Sequence, residues 1–84
     1  MRGEHMKIEW AGGARISVKV RDGRETTVTA NREGLLSLAR QLEALAEGTP
    51  GDHIHYDEYN SLEEGSTELI IEKTDGTGDG EGKA

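Results

Sequence analysis

Only one stretch of this chain carries a helical period. From Asn31 to Gly48, Leu35, Leu38, Leu42 and Leu45 recur at spacings of three and four, with Ala39 and Ala46 on the same stripe. Asn31 is a strong N-cap type, Gly48 suits the C-terminal end, and Pro50 blocks continuation. The other apolar runs alternate with period two, the mark of half-buried strands. One helix shields one face of a sheet and leaves the other in water, so the chain is expected to form a half-covered sheet with the leucine stripe in its core.

The alternating runs number five. Ile8 and Trp10 mark a strand from Lys7 to Trp10, and Ile16, Val18 and Val20 mark a second from Arg15 to Arg21 beyond Gly12-Gly13. Asp22-Gly23 is a hairpin-turn dipeptide, and "ETTVTA" returns as a third strand. After the helix, Asp52 to Asp57 forms a fourth, the loop "EYNSLEEGS" follows, and "TELIIEK" makes a fifth with Thr67, Leu69 and Ile71 on one side. The expected fold is α+β, a mainly antiparallel sheet of about five strands covered on one face by a single helix, in the order β-β-β-α-β-β. The strand after the helix should run parallel to the strand before it.

With 84 residues and no Phe, such a domain has a small core of Leu, Ile and Val plus Trp10 and Tyr56. That leaves little depth for an enclosed catalytic cavity and favours a surface function. The formal charge of -7 argues against nucleic acid, whose phosphates are bound mostly by Lys and Arg, and suits a basic protein partner or plain solubility. No cysteine is present, which fits a reducing cytoplasm and removes disulfides and thiolate chemistry. No apolar run is long enough to span a bilayer, and the N-terminus does not read as a secretory signal. Residues Met1 to Met6 read as an extension, 7–74 as one domain, and Asp75 to Ala84 as a flexible Gly-rich acidic tail.

The segment "GDHIHYDEY" raises the chemical question. In an extended chain His53, His55 and Asp57 share one face while Ile54 and Tyr56 point to the other. Two imidazoles and a carboxylate suit zinc, with Glu68 or Glu72 on the neighbouring strand available to complete a site. An open sheet face, however, lacks walls for the groups that orient metal ligands. The favoured reading is a solvent-facing recognition surface, with no metal, no cofactor and no catalytic residue. Its candidate contacts are His53, His55, Asp57, Tyr59 and Glu68, Tyr59 being the best single anchor. Tyr59 and Leu62 could instead fold back to cap the core. There is no Gly-rich phosphate loop, nucleophile elbow or zinc-protease helix.

The segment "DHIHYDEYNSLEEGSTELIIEK" resembles the immunity protein 32 family of bacterial polymorphic toxin systems. The shared features are His53-x-His55-x-Asp57, a loop, then Gly65-Ser66-x-Glu68-Leu69-Ile70-Ile71, and the similarity extends over roughly Val28 to Lys73. The resemblance implies a small protein of mixed strands and helix that binds and blocks a cognate toxin domain, its basic surface meeting this acidic one, as a monomer or weak homodimer. A metal-binding protein or small metal-dependent enzyme using His53, His55 and Asp57 is the alternative. A self-associating module that pairs exposed strand edges is a further one.

Overall fold

The computed structural model describes residues 8–76. Its elements follow in the order β1 (Ile16–Arg21), β2 (Glu25–Ala30), α1 (Arg32–Ala46), β3 (His53–Tyr56) and β4 (Leu69–Glu72). The class is α+β with one helix, but the expected five-stranded sheet is not formed. Among the described residues there are two antiparallel two-stranded ladders, β1–β2 and β3–β4. The expected extension, and all but the first two residues of the expected tail, lie outside the described residues.

The missing strand is the first. Among the described residues Ile8, Glu9 and Trp10 lie in neither ladder, although Ile8 and Trp10 both pack against the core. The backbone here is held by helix side chains instead. Gln41 Nε2 donates to the Glu9 carbonyl at 2.8 Å, and the Ala11 N–H donates to Ser37 Oγ at 2.8 Å. The alternation of apolar residues therefore recorded one-sided burial without a ladder.

The hairpin turns where expected. Asp22 and Gly23 both take positive φ, 55° and 66°, and the Arg24 N–H donates to the Arg21 carbonyl at 3.0 Å. The ladder runs from Ile16 opposite Ala30 to Arg21 opposite Glu25. The second edge of β1 is occupied by residues 63–67. Glu63 N–H donates to the Ile16 carbonyl at 2.9 Å, Thr67 N–H to the Val18 carbonyl at 2.7 Å, and Val18 N–H to Ser66 Oγ at 3.2 Å. This strap ties the two ladders together. The strand after the helix does not share a ladder with the strand before it: among the described residues β3 pairs with β4 and β2 with β1.

Both ends of α1 are fastened to remote segments. Asn31 is the N-cap, its Oδ1 accepting from Gly34 N–H at 2.9 Å and also from Arg15 N–H at 2.9 Å, while Nδ2 donates to the Gly13 carbonyl at 2.8 Å. Gly34 sits so close to β1 that a Cβ would lie 2.5 Å from the Arg15 carbonyl oxygen. At the other end Lys73 Nζ donates to the carbonyls of Ala46, 2.6 Å, and Gly48, 2.7 Å. These are groups a helix cannot satisfy internally, and an ammonium there also opposes the negative end of the helix dipole.

The helix is rotated by about one residue from the expected orientation. Gly34, Ser37, Gln41 and Leu45 are its buried line, whereas Leu35, Leu36 and Leu42 are 52%, 41% and 37% exposed. Small and polar residues face inward because the backbone they approach is close and needs hydrogen-bond partners. The core comprises Ile16, Val18, Leu45, Ile54, Tyr56 and Leu62, with Leu38, Leu69 and Ile71 packed against it. At its centre Tyr56 is fully buried, tilted against Trp10 with ring centroids 6.0 Å apart, and its hydroxyl donates to Gln41 Oε1 at 2.7 Å.

Gln41 thus joins α1, β3 and the N-terminal segment. We expect Gln41→Leu to lower unfolding free energy by about 2–4 kcal/mol in urea titrations, since it strands a buried hydroxyl and a carbonyl, and Tyr56→Phe to cost about 1 kcal/mol. Equal stability of Gln41→Leu and wild type would contradict this assignment. Burial pushes the Tyr56 phenol from 10.0 up to about 12. The folded state therefore keeps a proton that the unfolded chain releases, so this contribution to stability is complete below pH 10 and is lost as pH rises toward 12. Tyr56→Phe should flatten the pH dependence in that window.

Candidate functional site

The β3–β4 ladder separates its side chains by parity. Ile54 opposite Ile71 and Tyr56 opposite Leu69 face the core, and His53 opposite Glu72 and His55 opposite Ile70 face outward. The outer face expected for "HIHYD" is therefore formed by His53, His55, Ile70 and Glu72. Ile70 is 58% exposed on it. Its position between Glu68 and Glu72 marks it in the sequence as an apolar residue on a polar face.

The five candidate contacts divide into three groups. His55 Nε2 lies 3.0 Å from Glu68 Oε1, with both side chains largely exposed. A carboxylate only accepts, so the ring donates from Nε2. His53 is half-buried, with Nδ1 3.5 Å from the Gly51 carbonyl, at the outer limit for a hydrogen bond. Asp57 lies beyond the end of β3 and is turned into the loop. Its Oδ1 accepts from Tyr59 N–H at 2.9 Å and from Asn60 N–H at 3.0 Å.

Asp57 and Asn60 together build a rigid turn. Asn60 Oδ1 accepts from the Asp57 N–H at 3.1 Å, Asn60 Nδ2 donates to the His55 carbonyl at 2.9 Å, and the Ser61 and Leu62 N–H groups donate to the Asp57 carbonyl. Further along, Leu62 is buried in the core, Ser61 Oγ accepts from Trp10 Nε1 at 2.9 Å, and Gly65 N–H donates to Glu58 Oε2 at 2.8 Å. Tyr59 is 96% exposed on this fixed frame. Of the two loop residues expected to anchor a partner or cap the core, Leu62 caps the core and Tyr59 stands in solvent. The Asp57-x-x-Asn60 pair is the local signal that reasoning from strand periodicity passes over.

Asp57 is committed to this turn, so the His-x-His-x-Asp pattern does not converge as a ligand set. Among the described residues no group of three His, Cys, Asp or Glu side chains is placed to hold a metal ion.

Charge is divided between the two halves of the molecule. Around β1 and β2, Arg15, Lys19, Arg21, Arg24 and Arg32 outnumber Asp22 and Glu25. From Gln41 through Glu72 the chain has nine acidic residues and neither lysine nor arginine. The seam between the halves is bridged by Arg15 Nε and Glu63 Oε2, 2.8 Å apart. Among the described residues no helix is long and apolar enough to cross a membrane.

Asp57→Ala should cost about 1–2 kcal/mol of stability through loss of the turn's caps, whereas Tyr59→Ala should change it by less than about 0.5 kcal/mol. Thermal melts of the two variants check both values; a large loss in Tyr59→Ala would mean that the ring packs on the fold.

Residues 25–74 match the family model described as Immunity protein 32. No curated protein and no solved structure matches the chain.

Proposed function

The chain belongs to the immunity protein 32 family, and from that membership we propose that it neutralises a cognate bacterial toxin by direct protein–protein binding, without catalysis. The observation that carries the reading is Tyr59, a fully exposed aromatic held by a hydrogen-bonded turn beside the acidic half of the molecule. A rigid aromatic loses little conformational entropy on binding and is a common energetic centre of interfaces. Around it, His55 with Glu68, His53 and Ile70 form the surrounding contact face, and Asp57 acts by holding the turn.

The acidic half favours a toxin with a basic surface. Complementary charge accelerates encounter more than it slows release, and salt screens it over about 8–10 Å. The outer His55–Glu68 pair contributes little as a stabilising bridge because it is exposed. It is thereby available to exchange partners on binding.

The test is binding to candidate toxin domains, followed kinetically. Tyr59→Ala should weaken the complex by at least about tenfold, mostly through faster dissociation, and Glu68→Lys should slow association in a manner erased by salt. Wild-type binding by Tyr59→Ala combined with Glu68→Lys would exclude this face.

A further inference from the structure

A second turn stands beside the one that presents Tyr59. Ser66 N–H donates to the Glu63 carbonyl at 3.1 Å, Gly65 takes φ 87°, and Asp22 alone among the described non-glycine residues has positive φ. Residues 63–66 therefore form a type II turn, in which the glycine supplies the left-handed position. The turn is fastened to β1: Glu63 N–H donates to the Ile16 carbonyl, Thr67 N–H to the Val18 carbonyl, and Ser66 Oγ accepts from Val18 N–H. The N–H of its glycine has no acceptor inside such a turn. Here that N–H donates to Glu58 Oε2 at 2.8 Å.

The Tyr59 turn is tied differently. The bonds made by Asp57 and Asn60 run among residues 55–62, joining the turn to itself and to the end of β3. Leu62, buried, and Ser61, bonded to Trp10, hold its far end. These groups set the internal shape of the turn and fix where it begins and ends. Glu58 sits at its tip, next to Tyr59, and reaches seven residues onward to the turn on β1.

From this geometry we infer that Glu58 is a positioning residue for Tyr59, acting as a hydrogen-bond acceptor and not as a charge offered to the partner. Asp57 shapes the turn, and Glu58 sets the direction in which it leans. By composition Glu58 is one of nine acidic residues between Gln41 and Glu72, all of which suit a basic surface. Its bond to a backbone N–H is charge-assisted and gives it a separate task. A ring already held in its bound direction loses less freedom on association. The inference rests on the reading of Tyr59 as the contact residue.

The experiment has two arms, both on the full chain. The first is amide hydrogen exchange by NMR without any partner. In wild type the exposed Gly65 amide should exchange at least about tenfold more slowly than an unstructured one; Glu58→Ala should release it and speed exchange at Tyr59 by roughly threefold or more. Glu58→Gln keeps a carbonyl that accepts and should leave both amides close to wild type. The second arm is binding to a toxin domain that wild type recognises. Glu58→Ala should weaken the complex by about three- to tenfold at low and high salt alike, and Glu58→Gln by less than about twofold. An unprotected Gly65 amide in wild type, Tyr59 exchange unmoved by Glu58→Ala, or equal losses of binding in the two variants would overturn the inference. If wild type binds none of the candidate toxins, the functional reading fails, and the exchange arm still decides what Glu58 does to Tyr59. Glu58 is exposed, and circular dichroism confirms that each variant folds.

Discussion

A buried glutamine holds the parts of this fold together. Gln41 accepts from the Tyr56 hydroxyl and donates to the Glu9 carbonyl, fixing α1 against β3 and against a segment that lies, among the described residues, outside both ladders. A polar side chain buried to this degree is tolerated only when both ends are satisfied. That condition allows essentially one rotation of the helix. It turns Ser37 toward Ala11, presses Gly34 against β1, and leaves Leu35 and Leu42 outside. A core built from the leucine stripe alone would have left residues 9–11 without partners.

The same interaction explains which parts of the architecture were legible in the sequence. Features with local causes were readable: the Asn31 cap, the helix that follows it, the Asp22-Gly23 turn, and the split of Ile54 and Tyr56 from His53 and His55. Features that depend on remote partners were not. Ile8 and Trp10 alternate like a strand because one side is buried, and nothing near them in sequence reveals that Gln41 and Ser37 take the backbone hydrogen bonds. The strap over residues 63–67 looks like a loop, and only its approach to β1 gives it a ladder-like role.

The candidate site shows the same division. Period two correctly assigned His53, His55, Glu68 and Ile70 to the outer face, but it also extended the strand one residue too far and counted Asp57 with the histidines. Side chains of Asp compete for nearby backbone N–H groups, and here Asp57 captures those of Tyr59 and Asn60. The third member of the signature therefore shapes the loop that presents Tyr59. A motif that looks like a row of ligands is in part a piece of turn chemistry.

The separation of charge has one more consequence. A chain whose basic residues gather around β1 and β2, while residues 41–72 carry nine acidic ones and no lysine or arginine, has an uneven charge pattern in addition to its net charge of -7. In the field of a basic partner it experiences a torque as well as an attraction. Within a Debye length that torque biases rotational diffusion, so that the acidic half leads and the hairpin trails. Orientation is then partly settled before contact, and random collisions with the wrong face become a smaller fraction of encounters.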